Sequence, residues 1–527
     1  MNLEKIIKEL NKAENDNKKF ALLVILSQLI KTNKLVELES NDKDSHQELS
    51  ERLFHAIGSH FIARLIVSSQ VPENCSKSVF KSVAMSILTK FSQFRDIACD
   101  PIILSKIKHI INILKTSRTK IVELEASELV DSQIAEELDL ERNLLENTFN
   151  YLFALSEYCS NHLCKNGLLN VLLDDYFLDD ATDQNDHFIQ ISEQLIDKIC
   201  KYDAKFLNNE SKDEINAFLK TILQVIEKKH DKLKFKLIKL FENLTKMSSV
   251  SNRLSLLFKD DTKLVNETVL NIFNDLFKTK NLKSIVKDVV FSTFSWFIQN
   301  SENFLDEIYK INKQLFYLIA HLVSIEIRLF LEDNTKTLND LALNRETGLD
   351  RLSVFYTIFE KFIIFIAISP LINEESDEQQ IKFLLKLIME TMNTILAFIK
   401  DVLASKEYEK LDASSDDNVK LNGYLILVAS IRVLTCWFAY EELIEYEIID
   451  LYDDIVKFSE HYVTFYKNSV SFINIYQFLV PGLNRFIENN KDVVGEISSN
   501  TNASSENDCL IEKFDIVKRN LKICSEN

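Results

Sequence analysis

Residues Leu421–Glu442 have the sequence LNGYLILVASIRVLTCWFAYEE, which is apolar on nearly every side when it is wound as a helix. The polar or small positions form one narrow stripe that consists of Arg432, Thr435, Cys436, Ala439 and Glu442. A helix that is apolar all round must be covered by other helices or by lipid. The stretch therefore predicts a buried helix inside a helical protein.

A second stretch of the same kind is Leu318–Asp333, LIAHLVSIEIRLFLED, whose polar stripe consists of His321, Ser324, Arg328 and Glu332. Two such helices far apart in the sequence indicate an elongated stack of helices. Lipid is the less favoured cover, because Arg432 in the middle of Tyr424–Tyr440 would cost about 2.5–3.5 kcal/mol on insertion scales. We therefore expect no transmembrane segment and at most peripheral contact with a membrane.

Helix is expected almost throughout the chain, because 527 residues contain only 6 Gly and 4 Pro and turns and strands need both residues as punctuation. Short polar breaks recur at intervals of roughly 20 residues, which gives hairpins of about 40 residues. That length is typical of armadillo and HEAT repeats. We predict an all-α protein, an armadillo/HEAT-like α-solenoid in which stacked helical hairpins form a right-handed superhelix.

The predicted repeat domain covers residues 1–490, and polar segments interrupt it. Acidic loops are expected near residues 117–146, 331–350 and 405–422, although a helix with a solvated face would also explain the first of these. Residues 491–508 have the composition of a flexible linker. Residues 509–527 are expected to form a C-terminal amphipathic helix, which packs as a terminal cap or docks onto a partner.

The chain is acidic, with 62 Lys and Arg against 80 Asp and Glu and a formal net charge of −18. Such a surface repels the phosphate backbone, so nucleic acid is not expected as a partner. Basic segments of other proteins fit the charge better.

No motif for reaction chemistry is present. The sequence contains no GxGxxG, GKS/GKT, HExxH or GxSxG, and its isolated histidines are typical of packing residues. Cys159, His162 and Cys164 have the residue types of a metal site, but no second Cys/His cluster follows them. We therefore expect neither an enzyme nor a bound metal or cofactor. The scattered cysteines fit the reducing interior of a cell.

Seven blocks of sequence resemble the neurochondrin family and follow one another in the same order as in that family. They are ENDNKKFALLVILSQLIK (Glu14–Lys31), RLFHAIGSHFIARLI (Arg52–Ile66), VPENCSKSV (Val71–Val79), CDPIILSKIKHIINIL (Cys99–Leu114), LVSIEIRLFLED (Leu322–Asp333), ILVASIRVLTCWFAYEE (Ile426–Glu442) and YQFLVPGLNRFIEN (Tyr476–Asn489). Each block alone is mostly hydrophobic core, and the ordered series is the specific signal.

The resemblance implies a non-enzymatic cytoplasmic adaptor with a role in neuronal signalling and neurite outgrowth, present in dendrites and associated with endosomes. The partners it implies are cytoplasmic segments of G-protein-coupled receptors, Rab-type GTPases and calmodulin-dependent kinase. Two departures are expected to matter. The sequence ends soon after the last block, where the family continues, and the N-terminal region has no cysteine before Cys75 that could carry a lipid.

The candidate protein-binding residues are Arg64, Arg328, Arg432, Trp437, Glu441 and Glu442. A buried arginine needs a defined partner, which could lie in another protein. The favoured explanation is an internal ion pair, such as Arg328 with Glu332. A second hypothesis for function is a HEAT-type transport or assembly factor that grips a protein cargo.

Overall fold

The computed structural model describes the chain outside residues 1–2, 14, 32–42, 68–75, 128–131, 177–185, 203–211, 229–231, 248–250, 253, 257–261, 280–283, 302, 333–336, 344–347, 374–377, 412–415, 441–444, 467–472, 500–504 and 527. Across the described residues the regular elements are helices, and none of them is a β-strand. The chain divides into two compact units, Met1–Thr268 and Val269–Asn527.

The first unit contains thirteen of the helices described here, which we number in chain order. They are α1 (Leu3–Asn11), α2 (Asp16–Lys31), α3 (Lys43–Ile57), α4 (Ser59–Val67), α5 (Lys77–Phe91), α6 (Arg95–Ala98), α7 (Pro101–Leu104), α8 (Ile107–Glu125), α9 (Ser132–Lys165), α10 (Leu168–Tyr176), α11 (Asp186–Tyr202), α12 (Lys212–Lys228) and α13 (Lys232–Lys246). Helix α14 (Thr262–Lys278) spans the boundary between the units.

The second unit continues the numbering and includes the longest apolar helices. Its elements are α15 (Ser284–Asn300), α16 (Phe304–Ile311), α17 (Lys313–Leu331), α18 (Leu338–Leu343), α19 (Leu349–Ile368), a 3₁₀ turn (Pro370–Asn373), α20 (Glu378–Ser405), α21 (Glu407–Leu411), α22 (Asp417–Phe438), α23 (Glu445–Tyr466), α24 (Tyr476–Ser499) and α25 (Ser505–Glu526).

Side-chain caps fix where several helices begin. The Asp100 carboxylate accepts from the backbone amides of Ile102 and Ile103, and Pro101 occupies the first position of α7, where its missing amide hydrogen costs nothing. Asn312 caps α17 by accepting from the Leu315 amide. Such caps satisfy amides that a helix leaves without a partner in its first turn.

Two rows of stacked helices organise the second unit. In one row α15, α19, α22 and α24 pack in succession, and in the other α17, α20, α23 and α25 do the same. Successive pairs such as α19 with α17 and α24 with α25 link the two rows. Helices that share apolar faces only with neighbouring repeats define a solenoid. The prediction of an all-α, armadillo/HEAT-like α-solenoid is confirmed, and the right-handed winding stays a prediction.

The repeat is longer than predicted. Helices of the first row begin at residues 284, 349, 417 and 476, which are 65, 68 and 59 residues apart, and those of the second row begin at 313, 378, 445 and 505, which are 65, 67 and 60 residues apart. The estimate of about 40 residues was wrong for this unit. Short helices such as α18 and α21 add to the two long helices of a repeat and make it longer than one hairpin.

Helices of one row run parallel. Three contacts join α17 to α20, between His321 and Phe383, Arg328 and Glu390, and Glu332 and Thr394, and each pair is 62 residues apart. Partner numbers that rise together require the two helices to run in the same direction. Like helices therefore stack on like helices of the next repeat.

The acidic segment at 117–146 is largely helical, which agrees with the alternative of a helix and corrects the prediction of a loop. Residues up to Glu125 belong to α8, and residues from Ser132 onward belong to α9. Glu141 is 1% exposed and accepts hydrogen bonds from Ser78 and Lys120. An acid that the sequence suggests is solvated thus joins three helices.

Short helices also replace parts of the two other predicted loops. Helix α18 lies within residues 331–350 and α21 within 405–422, while residues 333–336, 344–347 and 412–415 lie outside the described part of the chain. Leu341 and Leu411 are buried. Their burial supplies the packing that a purely polar loop would lack.

The predicted linker at 491–508 begins inside a helix, because α24 continues to Ser499 and α25 begins at Ser505. Val494 is buried in α24, so packing of α24 against α25 extends the helix beyond its last strongly apolar turn. Residues 509–526 of the expected amphipathic helix belong to α25. The boundary of a single domain at residue 490 stays a prediction.

Candidate protein-binding surface

Among the described helices, α17 and α22 have the length and composition of a membrane span, but the protein buries them to different extents. In α22, 72% of the most apolar stretch is buried, and in α17 only 39%. Burial of α22 among α19, α20 and α24 confirms the prediction of a covered core helix. Helix α17 is therefore partly uncovered on its outer side.

The outer side of α17 and α20 combines exposed apolar groups with charge. Leu329 is 63% exposed and Phe383 is 56% exposed. Arg328, Glu332 and Glu390 lie along the same pair of helices. We call these five residues the α17–α20 surface. Exposed large apolar side chains beside charges are typical of surfaces that bind other proteins.

Arg328 is held by two carboxylates. Its guanidinium lies 2.8 Å from Glu390 of α20 and 3.6 Å from Glu332 one turn along α17. The pair with Glu332 that the sequence favoured is present, and the closer partner comes from the neighbouring repeat. The arginine is half-buried and both carboxylates are exposed, so the cluster remains accessible.

Arg432 makes a more buried pair. Its guanidinium lies 2.7 Å from Glu360 of α19 and 5.6 Å from the centre of the Phe478 ring. Glu360 is 10% exposed, whereas the arginine side chain is 54% exposed. Burial raises the pKa of the Glu360 carboxyl above its ordinary value, although Arg432 opposes this shift. The arginine therefore lies at the surface of α22 and compensates a buried acid.

Arg64 lies in the first unit, and the other described candidates belong to the second. It pairs with Asp16 of α2 at 2.9 Å, both side chains are exposed, and its guanidinium lies 5.5 Å from the centre of the Phe61 ring. Exposed pairs of this kind add at most about 1 kcal/mol to stability. None of the three candidate arginines is buried, which corrects the premise on which they were selected.

The remaining candidates are a tryptophan and two acids. Trp437 is 3% exposed and packs in the core of the second unit, so its indole is closed to a partner. Glu441 and Glu442 lie outside the described residues. Arg328 thus lies at the surface, next to the exposed Leu329 in the chain, whereas Trp437 lies inside.

Cys159 and His162, which have the residue types of a metal site, make other contacts. His162 Nε2 lies 3.2 Å from the Leu104 carbonyl oxygen, and Cys159 lies beside Cys99. Across the described parts of the chain, no group of three or more His, Cys, Asp or Glu side chains has the arrangement of a metal site.

Residues that sequence reasoning missed include Leu329, Phe383 and Glu390. Leu329 belongs to a helix whose sequence is apolar on nearly every side. Such a helix is expected to be covered by other helices. The available signal was the charge at Arg328 and Glu332, one helical turn apart, which marks one side of α17 as open to water.

Related proteins match a limited part of the sequence. Neurochondrin of Xenopus laevis is 32% identical over 105 residues, and the neurochondrin homologue of Drosophila melanogaster is 34% identical over 102 residues. These matches cover 20% and 19% of this chain and 13% of each relative. The matched region is thus about one eighth of the length of these relatives.

Solved structures are similar at a lower level. One from work on the phosphorylation-controlled interaction between cadherin and beta-catenin has a TM-score of 0.38 and 11% identity, with coverage of 100% of this chain and 91% of that one. Kap121p bound to Nup53p has a TM-score of 0.21 and 14% identity, with coverage of 99% and 67%.

The sequence model of one family, Neurochondrin, matches residues 1–525. The match extends beyond the last of the seven sequence blocks and through α25, so the final helix is included in the family region. The resemblance seen in those blocks is confirmed, and the chain belongs to the Neurochondrin family.

Proposed function

We propose that the protein is a non-enzymatic scaffold that binds other proteins, with the α17–α20 surface as a principal binding site. The observation that supports this proposal is the exposure of Leu329 and Phe383 on the two helices that the Arg328–Glu390 pair joins. Covering two large apolar side chains favours association. The half-buried arginine and its carboxylates would select partners with matching polar groups.

Charge favours basic partner segments. Of the chain's Lys and Arg residues, 26 lie in the second unit with 39 of its Asp and Glu residues, so this unit has a formal charge of −13 out of −18. A negative surface attracts positive segments during encounter and disfavours acidic ones. Amphipathic segments with apolar residues on one side and lysine or arginine on the other match both features.

The family membership extends the proposal to particular partners. We propose that the surface binds basic cytoplasmic segments of G-protein-coupled receptors, and that the scaffold also meets Rab-type GTPases and calmodulin-dependent kinase. The proposed setting is the cytoplasm of neurons, including dendrites and endosomes, with a role in signalling and neurite outgrowth. Arg64, Arg432, Glu441 and Glu442 are secondary candidates for contact with these partners.

Capture of receptor peptides tests the binding site. Immobilised basic receptor tail peptides should retain the full chain at low salt, and the Leu329→Asp, Phe383→Asp double variant should bind at least about tenfold more weakly, since each side chain contributes on the order of 1 kcal/mol. Leu343→Asp is the matched control, because Leu343 is 61% exposed on α18 outside this surface.

Salt dependence distinguishes the scaffold from a transport or assembly factor. Capture through charge should fall when salt is raised, because screening shortens the range of electrostatic attraction. Retention of one large folded cargo at both salt concentrations, with no loss in the double variant, would overturn the proposal. Equal binding by the double variant and by Leu343→Asp would show that the partner uses another surface.

A further inference from the structure

Two cysteines of the first unit face each other across different helices. Cys99 ends α6, and Cys159 lies within α9, 60 residues later. Their sulfur atoms are 3.0 Å apart, close enough for one thiol to donate a hydrogen bond to the other. Both side chains are partly exposed, and both are free thiols.

The backbone at both positions departs from regular helix. Cys159 has φ −138° and ψ 33°, which breaks α9 between Tyr158 and Ser160. Cys99 lies at the corner between α6 and α7, where Asp100 and Pro101 begin the next helix. A cross-link between two corners requires less distortion than one between two continuous helices.

A buried hydroxyl group adjoins the pair. Tyr151 lies in the part of α9 that precedes Cys159 and is fully buried. Its hydroxyl has no hydrogen-bond partner among the described residues. Burial raises the pKa of this phenol, and the neighbouring Cys159 and Cys99 raise it further. The hydroxyl therefore stays protonated at neutral pH.

We propose that Cys99 and Cys159 are a redox modification site, at which a hydroperoxide converts the thiol pair into a reversible disulfide. In the first step one thiol loses its proton and the thiolate attacks an oxygen of hydrogen peroxide, which forms a sulfur–oxygen bond and breaks the oxygen–oxygen bond. The departing hydroxide takes up the lost proton and leaves as water. In the second step the other thiol displaces the sulfenic oxygen as water and forms the sulfur–sulfur bond. Two thiols and one peroxide thus give one disulfide and two waters.

The first step should be slow and the second fast. Burial raises the pKa of Cys159 to about 12, helped by Cys99 and opposed by Arg95, so little of this thiol is ionised at neutral pH. Once one sulfur is oxidised, the other is already in contact with it. The pair therefore responds to sustained oxidation and returns to two thiols with a dithiol reductant.

The disulfide would tie the corner between α6 and α7 to the break in α9. Helices α6 and α9 already pack together in the reduced protein. A covalent link should restrict opening at both corners. We expect amide hydrogen exchange around residues 95–104 and 155–165 to slow at least about threefold after oxidation, with little change in the second unit.

Peptide mapping tests the site on the full chain. After treatment with hydrogen peroxide, remaining thiols are alkylated in denaturant, and the protein is digested without reductant. The expected product is one cross-linked peptide that contains Cys99 and Cys159, lighter than the two thiol peptides by the two lost hydrogens, about 2 Da, and absent after reduction. Cys99→Ser and Cys159→Ser should each abolish it, whereas Cys436→Ser should not.

Several results would overturn the inference. Recovery of both cysteines as alkylated peptides would show that the contact does not react, and pairing of either one with a different cysteine would show that another geometry prevails. A stable sulfinic acid at one position would show that the second thiol fails to capture the oxidised one. The experiment on the unsubstituted chain decides the matter even if a serine variant fails to fold.

Discussion

Individual ion pairs differ in how much they contribute to the stability of the fold, and the difference depends on how deeply the carboxylate is buried. Glu360 is buried and its second oxygen, Oε1, has no hydrogen-bond partner among the described residues, whereas Glu390 is exposed. Removing the arginine from a buried acid leaves a charge without compensation, while an exposed acid is resolvated by water. Arg432 and Arg328 should therefore respond differently to the same substitution.

Arg432→Met should destabilise the second unit by about 1–3 kcal/mol at pH 7.5, the cost of leaving a buried polar group unpaired. Arg328→Met is the matched control and should change stability by less than about 1 kcal/mol. Thermal unfolding monitored by circular dichroism measures both. Equal shifts in Tm for the two variants would show that burial of Glu360 does not set the cost.

The same pair should respond to pH. The pKa of Glu360 is raised in the folded protein, so its protonated form contributes stability at low pH that is lost as the pH rises through the folded value. Without Arg432 that pKa should rise further. The destabilisation by Arg432→Met should therefore be smaller at pH 5.5 than at pH 8, and a difference in the opposite direction would contradict this assignment.

Sequence could predict one of these contacts. Arg328 and Glu332 are one helical turn apart, so their pairing follows from helix geometry alone. Glu390 is 62 residues from Arg328, and Glu360 is 72 residues from Arg432. Such contacts depend on how repeats stack, which the residue types alone do not specify.

At the scale of helices, the close approach of α24 to α22 depends on a glycine. Gly482 of α24 packs against the ring of Phe438 at the end of α22, and a Cβ atom at this position would overlap the ring carbons. Gly482→Ala should destabilise the protein by about 1–3 kcal/mol through forced repacking. Gly167→Ala would instead test a backbone effect, because Gly167 has a positive φ and open space around it.

Measurement of Tm for Gly482→Ala, alone and with Phe438→Leu, separates the steric cause from others. If the overlap is the cause, the smaller side chain should recover part of the loss. An alanine variant as stable as the parent would show that α24 moves away from α22 at little cost.

The docking of α25 depends on polar contacts with α23. Asp453 accepts two hydrogen bonds of 2.6 Å from Arg519 and one of 3.0 Å from Asn520, and Lys513 pairs with Asp450. Phe514 and Val517 are buried between these contacts. Asp453→Ala should raise amide exchange in α25 by roughly two- to fivefold, the range for a partly exposed pair.

The matched control is Asp454→Ala, since Asp454 pairs with Lys457 on its own helix. The effect at Asp453 should also depend on pH. Although burial opposes it, hydrogen bonds from Arg519 and Asn520 lower the pKa of Asp453 below its ordinary 3.8. The contribution of Asp453 to stability is therefore present above pH 3.8, and it is lost as the pH falls through the pKa of this group in the folded protein. Faster exchange in the control than in Asp453→Ala would contradict this account.

The helical character of the chain was predictable from sequence. The residues at which individual helices begin and end were less predictable. Scarce Gly and Pro and the caps at Asp100 and Asn312 are local signals. The acidic residues before Glu141 and the polar residues after Asn489 look solvated in sequence, yet α9 and α24 continue through them. Partners such as Ser78 for Glu141 lie 63 residues away and supply the stability that local composition does not indicate.

At the scale of the molecule, the stacked rows predict graded stability. In a solenoid each repeat is stabilised mainly by its neighbours, so damage at the end should stay local. Phe514→Ala in α25 should increase amide exchange in α24 and α25 while α17 remains protected. Ile431→Ala in α22, where the side chain is fully buried, should increase exchange in α19 and α24 as well.

Amide hydrogen exchange with mass spectrometry resolves these patterns. Each substitution removes a large buried side chain and lowers stability by about 2–5 kcal/mol. The comparison therefore concerns which helices exchange faster. Uniform exchange across the second unit in both variants would show that it unfolds as one cooperative block, with no gradation along the rows.

The parallel register of α17 and α20 has a practical consequence for anyone who wishes to imitate or block this protein. A partner lying across both helices would meet residues that are neighbours in space and 62 positions apart in the chain. A short synthetic fragment copied from either helix would present half of the required groups. A useful mimic must reproduce at least two consecutive repeats in folded form.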